Sequence, residues 1–166
     1  QFIFSHFDLF RDKRMLVLST ESGALAIALA RLGRLGGPNQ IVAVDILPTA
    51  IQNARFNLRG ERLDVREIVL LGVSDLYANL SRITHERDPR FDVVIFRNPV
   101  LPLDARSPSQ FATHAGQGFR VIREALQELP DVLYPDRGVI YLSAYPRQRG
   151  PRRLELTEDN LRRLRP

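Results

Sequence analysis

Four short polar segments follow apolar runs in this sequence, and their residue types suit the binding of a small ligand. They are Ser19–Gly23, Asp45-Ile46, Ser74–Leu76 and Asn98–Leu101. An Asp at the end of a second strand, as at Asp45, can accept hydrogen bonds from both hydroxyls of a ribose. For this Asp taken alone, an N-terminal helix cap is the alternative. Because parallel strands end at one edge of their sheet, the segments predict a nucleoside site there.

The elements that position these segments are predicted from hydrophobic pattern and from turn residues. The predicted strands are Met15–Leu18, Ile41–Val44, Val65–Leu71, Phe91–Phe96 and Val139–Leu142. The predicted helices are a lead-in within Gln1–Phe10, then Ala24–Leu35, Pro48 to Gly60, a short one within Ala78–Arg90, and Phe119 to Leu133. This alternation predicts an α/β fold, a three-layer α/β/α sandwich with a Rossmann-like, mostly parallel sheet.

The sequence divides into three predicted parts. Residues 1–14 are a lead-in segment, residues 15–146 form the Rossmann-like domain, and residues 147–166 are an Arg-rich segment with a predicted helix at Thr157–Leu164. The length of 166 residues fits one domain.

Composition excludes several classes of protein. The chain has no Cys and only three His, so it cannot form disulfides or thiolate metal sites, and we expect no metal. It contains no apolar run of about 20 residues and no basic region before an apolar N-terminal stretch, so neither a membrane span nor a secretory signal is indicated. The expected location is cytoplasmic, with no membrane partner.

The net charge of +5 comes almost entirely from arginine, since Lys13 is the only lysine. Arginine suits bidentate contact with phosphate or carboxylate, which favours a nucleic-acid or ribosomal partner. Compositional bias is the alternative, because the arginines are spread along the chain and only the stretch from Arg147 to Arg165 is densely basic.

The order of the segments resembles a class I S-adenosylmethionine-dependent methyltransferase. Within that class it is similar to the branch containing the protein-glutamine N5-methyltransferases and the "small-domain" RNA methyltransferases. The matching stretches are LVLSTESGALAIALA for the cofactor loop, VDILPTAIQNARFNL for the ribose segment, GVSDLY for the adenine segment and FDVVIFRNPVLPL for the substrate motif. The resemblance covers roughly Met15–Ser143. It implies S-adenosylmethionine as cofactor and methyl transfer to an amide or amino nitrogen of a protein glutamine or a nucleobase, so the partner is a protein or RNA substrate.

The resemblance implies a set of cofactor-binding residues in the first three segments. They are Ser19, Thr20, Glu21, Gly23, Asp45, Ile46, Asp75 and Leu76. Gly23 would let the backbone pass close to the methionine part of the cofactor. Asp45 would bind the ribose diol, and Ile46 would pack on the adenine. Asp75 would accept from the adenine amino group, and Leu76 would lend its backbone N–H.

The resemblance also implies two catalytic residues, Asn98 and Pro99. The side-chain oxygen of Asn98 and the carbonyl of Pro99 would hold an NH2 group of the substrate. Those acceptors would aim the nitrogen lone pair at the sulfonium methyl, so that transfer depends on positioning and on exclusion of water.

Several residues depart from the family pattern. Val17 stands where the first strand has an acid, Ser19 and Glu21 stand where the loop has glycines, and the substrate motif reads Asn-Pro-Val-Leu instead of Asn-Pro-Pro-Tyr. The chain also ends before the C-terminal antiparallel hairpin that completes the family's sheet, so the hairpin is absent or lies outside this sequence. These departures keep a second hypothesis open, a catalytically degenerate domain that acts as a scaffold or binding module. A nicotinamide-dependent dehydrogenase is a third alternative, although it needs a G-x-G-x-x-G turn and STESGA offers one glycine.

Overall fold

The structure, a computed structural model, describes residues 7–32, 36–97 and 118–143. The strands in these ranges are β1 (Arg14–Leu18), β2 (Gln40–Asp45), β3 (Val69–Val73), β4 (Val93–Arg97) and β5 (Val139–Ser143). A 3-10 helix at Phe7–Phe10 precedes the helices α1 (Ala24–Arg31), α2 (Pro48–Arg59), α3 (Leu63–Glu67), α4 (Leu80–Thr84) and α5 (Gly118–Val132).

The described strands form one parallel sheet in the order β3-β2-β1-β4-β5. Leu18, at the end of β1, pairs with Val44 of β2 on one side and with Phe96 of β4 on the other. The order of the strands therefore reverses between β1 and β4, and open parallel sheets bind their ligands at the carboxyl edge beside such a reversal.

Helices cover both faces of the sheet. On one face Met15 and Val17 of β1 pack in a cluster with Leu29 of α1. On the other face Leu16 of β1 packs in a cluster with Leu129 of α5. Successive side chains of a strand point to opposite faces, so a continuous apolar run such as β1 serves both clusters. The predicted three-layer α/β/α sandwich is confirmed.

The helices that follow β1 and β2 begin where they were predicted. α1 starts at Ala24, and α2 starts at Pro48, whose fixed φ and missing N–H suit a first helical position. The predicted end of α1 at Leu35 was wrong, because the helix ends at Arg31 and Leu32 continues in 3-10 geometry.

The prediction of a third strand at Val65–Leu71 was wrong in its first half. Residues 63–67 form α3, and its Val65 is buried in the same cluster as α1. β3 begins only at Val69, which pairs with Ile41 near the start of β2. The carbonyl of Ile68 still accepts from the N–H of Ile41 at 2.7 Å, and in this register the residues before Ile68 lie beyond the start of β2, so they fold locally instead.

Charged groups join the strands at the amino edge of the sheet. One carboxylate oxygen of Asp92, just before β4, accepts from the backbone N–H of Arg14 at 2.9 Å, and the other accepts from Nε of Arg137 at 2.6 Å. Burial of Asp92 raises the pKa of its carboxyl, and these two donors outweigh that effect and hold the pKa below its ordinary value. The side chain of Arg14 pairs with Glu86 at 2.5 Å. These contacts fix the start of β1 against β4 and β5.

Candidate functional site

The loops after the first three strands are joined by hydrogen bonds at the carboxyl edge of the sheet. The backbone N–H of Thr20, after β1, donates to the carbonyl of Val44 at 3.0 Å. The backbone N–H of Ser74, after β3, donates to the carbonyl of Asp45 at 3.0 Å. The structure thus brings together the three segments that the sequence predicted for cofactor binding.

The loop after β1 has an alternating left-handed backbone. The φ angles are 56° at Ser19, 51° at Glu21 and 76° at Gly23. A side chain with Cβ is strained in this region, which glycine occupies freely. Ser19 and Glu21 stand at the positions where the resemblance expects glycines. The loop therefore keeps the backbone of a glycine-rich loop at two positions that have lost their glycines.

Gly23 allows close contact between two helices. It is buried at the N-cap of α1, and its N–H donates to the carbonyl of Thr20 at 2.9 Å. A Cβ placed on Gly23 would lie 2.9 Å from the Cβ of Ala54 in α2. The absence of a side chain at Gly23 thus sets the distance between α1 and α2, a role that the sequence did not predict.

Thr20 holds an unsatisfied polar atom at the site. The residue is 1% exposed, and its Oγ1 has no hydrogen-bond partner among the described residues. A buried hydroxyl without a partner costs about 1–3 kcal/mol, and native structures contain few of them.

The carboxylate of Asp45 connects the loops on both sides of it. Its Oδ2 accepts from the backbone N–H of Glu21 at 2.9 Å, and its Oδ1 accepts from the backbone N–H of Leu47 at 3.0 Å. Leu47, not Asp45, is the N-cap of α2, and no side chain caps this helix, so the capping alternative for Asp45 was wrong. A carboxylate has about four acceptor sites, and these two bonds leave acceptor capacity on each oxygen.

Apolar side chains lie exposed beside Asp45. Ile46 is 48% exposed, and Val73, which pairs in register with Asp45, is 40% exposed. Large apolar side chains that remain exposed next to a polar group are typical of a ligand-binding surface. The sequence did not single out Val73, although it ends the apolar run that reaches the predicted edge.

The loop after β3 is held rigidly. The Oγ of Ser74 donates to the carbonyl of Leu76 at 3.0 Å and accepts from the backbone N–H of Asn79 at 3.0 Å. The side chain of Asn79 donates to the carbonyl of Val73 at 3.1 Å. Within this loop Asp75 is exposed and Leu76 has a φ of 43°. Ser74, which begins the predicted segment, and Asn79, which was not predicted, therefore position Asp75 and Leu76.

An ion pair spans the reversal of strand order. Oε2 of Glu21, in the loop after β1, lies 3.8 Å from a guanidinium nitrogen of Arg97, the last residue of β4. Arg97 was not predicted, because nothing local to an arginine at a strand end shows which loop it faces.

The other predicted residues lie outside the described part of the chain. These are the implied catalytic residues Asn98 and Pro99, which directly follow Arg97 in sequence, and the Arg-rich segment 147–166. Within residues 7–32, 36–97 and 118–143, no cluster of His, Asp and Glu side chains could hold a metal ion. No helix in the same ranges is long and apolar enough to cross a membrane.

One curated protein is similar in sequence to this chain. It is the ribosomal protein uL3 glutamine methyltransferase of Bradyrhizobium diazoefficiens, which is 36% identical over 138 residues. The match covers 77% of this chain, which spans 40% of the length of that relative. No protein-family model matches the chain.

Solved structures share the fold. The glycopeptide N-methyltransferase MtfA in complex with S-adenosyl-L-methionine superposes with a TM-score of 0.54 and 19% identity, over 80% of this chain and 44% of that one. A precorrin 8w decarboxylase of Methanobacterium thermoautotrophicum superposes with a TM-score of 0.58 and 20% identity, over 87% of this chain and 61% of that one. These likenesses support the same sheet and helix arrangement that the strand order indicates.

Proposed function

This chain belongs to the class I S-adenosylmethionine-dependent methyltransferases, and from that premise we propose that it binds S-adenosylmethionine at the carboxyl edge of β1, β2 and β3. We further propose that the protein transfers a methyl group to a side-chain amide nitrogen of glutamine. Both statements are proposals about a whole protein, because this chain spans only 40% of the length of the curated relative.

The observation that carries the proposal is the arrangement around Asp45. Its carboxylate is 7% exposed, holds the loop after β1 through Glu21, and keeps acceptor capacity on both oxygens. A ribose diol needs two such acceptors side by side. The exposed side chains of Ile46 and Val73 offer an apolar surface beside Asp45 that suits a purine ring.

The residues of the loops fit the remaining parts of the cofactor. The left-handed backbone at Ser19, Glu21 and Gly23 supports a close approach of the methionine part, and the unpartnered Oγ1 of Thr20 supports a polar contact there. In the loop after β3, the exposed carboxylate of Asp75 suits the adenine amino group. The backbone N–H of Leu76 suits a ring nitrogen acceptor.

Bound S-adenosylmethionine supplies an electrophilic methyl group on a sulfonium. The protein's part is to bring an acceptor nitrogen in line with that methyl and to exclude water. We assign this part to Asn98 and Pro99, whose side-chain and backbone oxygens would accept hydrogen bonds from the substrate NH2 group and so aim its lone pair. Support for this assignment comes from the sequence motif and from its position in the sequence directly after β4, a strand that lies at the reversal of strand order.

The substrate class follows from the relative. A protein named for methylating a glutamine of ribosomal protein uL3 supports a protein amide as acceptor and a ribosomal protein as partner, with a nucleobase amino group as the alternative. Cytoplasmic location belongs to the same proposal, since ribosomal proteins are synthesised there.

Departures from the family pattern favour a second candidate function. Val17 replaces the acid of the first strand, and Glu21 replaces a glycine of the loop that would contact the methionine part. A domain altered in this way could serve as a non-catalytic binding module on the same fold.

Calorimetric titration of the purified chain with S-adenosylmethionine and S-adenosylhomocysteine separates the two candidates. We expect micromolar binding that is lost in Asp45→Ala. Binding should be kept in Asp64→Asn, a control that removes an acidic side chain from α3. Absence of binding up to millimolar ligand, in a sample with a cooperative unfolding transition, would favour the binding module.

A further inference from the structure

The ion pair of Glu21 and Arg97 lies at the predicted position of the cofactor's amino-acid end. β1 and β4 are neighbours, with Leu18 paired to Phe96, so Arg97 at the end of β4 lies beside the loop that follows β1. Oε2 of Glu21 is 3.8 Å from a guanidinium nitrogen of Arg97. The side chains are 54% and 40% exposed, respectively.

This pair is looser than several other ion pairs in the described part of the chain. Arg31 and Glu61 approach to 2.5 Å, as do Arg14 and Glu86. Charge-assisted hydrogen bonds have heavy-atom distances near 2.7–2.9 Å, so the contact at 3.8 Å is not a hydrogen bond. Within residues 7–32, 36–97 and 118–143, neither side chain makes a hydrogen bond. Exposed ion pairs also contribute little to stability.

The backbone of Glu21 is unfavourable for a residue with a side chain. Its φ of 51° is strained for any residue with a Cβ. A loose, half-exposed ion pair contributes too little stability to offset that strain. The carboxylate at this position is therefore better explained by a ligand than by the stability of the loop.

We propose that Glu21 and Arg97 together recognise the zwitterionic end of S-adenosylmethionine. The Glu21 carboxylate accepts from the ammonium group, and the Arg97 guanidinium pairs with the carboxylate. One anion and one cation, held side by side, complement a ligand that carries one of each. Val17 leaves β1 without an acid near this edge, and Glu21 supplies an anion there from the next loop. This inference rests on the proposed cofactor binding.

Three probes test it by calorimetry. S-adenosylhomocysteine carries the whole zwitterion, decarboxylated S-adenosylmethionine keeps only the ammonium group, and 5′-methylthioadenosine has neither. We expect Glu21→Gln to weaken the first two by about tenfold and Arg97→Gln to weaken only the first, by a similar factor. Binding of 5′-methylthioadenosine stays unchanged in both variants.

Glu61→Gln is the matched control, since Glu61 pairs with Arg31 on the surface and lies outside the site. It should bind all three compounds as the wild type does. If Glu21→Gln and Arg97→Gln each bind every compound with the wild-type affinity, the inference is overturned and the proposed function stands. An equal loss for all three compounds would also overturn the inference, because it would indicate a structural role. A folded wild type that binds none of them would overturn the proposed function, and the inference with it.

Discussion

The backbone N–H of Glu21 lies 2.9 Å from Oδ2 of Asp45. This bond connects the loop after β1 to the end of β2, and it fixes a left-handed residue whose side chain pairs with Arg97. Asp45 thus shapes the loop with the same carboxylate that we assign to the ribose. Loss of Asp45 should affect both the fold and the binding of ligand.

We expect Asp45→Ala to lower the free energy of unfolding by about 1–3 kcal/mol, because two backbone N–H groups lose their acceptor. The same variant should bind S-adenosylhomocysteine at least tenfold more weakly. Urea unfolding and calorimetry measure the two effects separately. Asp45→Asn keeps one acceptor oxygen and should lose less stability than Asp45→Ala, while its binding should still fall. Unchanged ligand affinity in both variants would contradict the assignment of Asp45 to the ribose.

Gly23→Ala should destabilise the protein by about 2 kcal/mol or more. The new side chain would be strained at a φ of 76°, and its Cβ would lie 2.9 Å from that of Ala54. Urea unfolding measures the loss. In the double variant with Ala54→Gly, the contact is relieved while the backbone strain remains, so the two losses should sum to more than the measured total.

Ser19→Gly makes the reverse change to Gly23→Ala, because it replaces a side chain by glycine at a left-handed residue of the same loop. It removes a Cβ from a residue with a φ of 56°, which relieves about 1–2 kcal/mol of strain. Part of that gain is offset by the greater freedom of glycine in the unfolded chain, about 0.5–1 kcal/mol. The net change should be a stabilisation of up to about 1 kcal/mol. A clear destabilisation would mean that the Ser19 side chain makes a contact that outweighs the strain.

Much of this arrangement followed from sequence because the apolar runs are local signals. The alternation of strands and helices and the places of Asp45 and Asp75 at strand ends depend on pattern within each segment. The order of the strands does not depend on local pattern, and this order brings Glu21 beside Arg97. The start of β3 is set by its pairing with β2, which the local pattern does not show. Val65 was therefore wrongly assigned to a strand.

Two other features could not be found in the local pattern. The left-handed backbone at Ser19 is not indicated by serine, which occupies other regions more readily. The contact of Gly23 with Ala54 joins two helices through the absence of a side chain, and no residue pattern marks it.

Asp92 should make the stability of the protein depend on pH in the acid range. Its hydrogen bonds to Arg14 and Arg137 lower the pKa of its carboxyl in the folded state relative to the unfolded chain. The carboxylate therefore contributes stability above the unfolded pKa of about 3.9, and the contribution is lost as pH falls through the folded value.

Asp92→Asn should lower the free energy of unfolding by about 1–2 kcal/mol at neutral pH. The difference from wild type should shrink as pH falls below about 4. Thermal unfolding between neutral and acid pH checks this, with Asp64→Asn as a control that should follow the wild-type curve. A difference that stays constant with pH would show that the charge of Asp92 is not responsible.

Asn98→Ala separates binding of the cofactor from transfer of the methyl group. If the Asn98 side chain orients the acceptor nitrogen, its loss should slow transfer by about a hundredfold or more, because misplacement of a reacting group by one ångström has an effect of that size. Affinity for S-adenosylhomocysteine should stay within about twofold, since Asn98 is assigned to the substrate. Transfer of a labelled methyl group to ribosomal protein uL3 measures the first, and calorimetry the second. Gln127→Ala, which removes another amide from the exposed side of α5, should change neither. A variant at Asn98 that loses cofactor affinity together with activity would place this side chain in the cofactor site instead, and full transfer by Asn98→Ala would remove it from the mechanism.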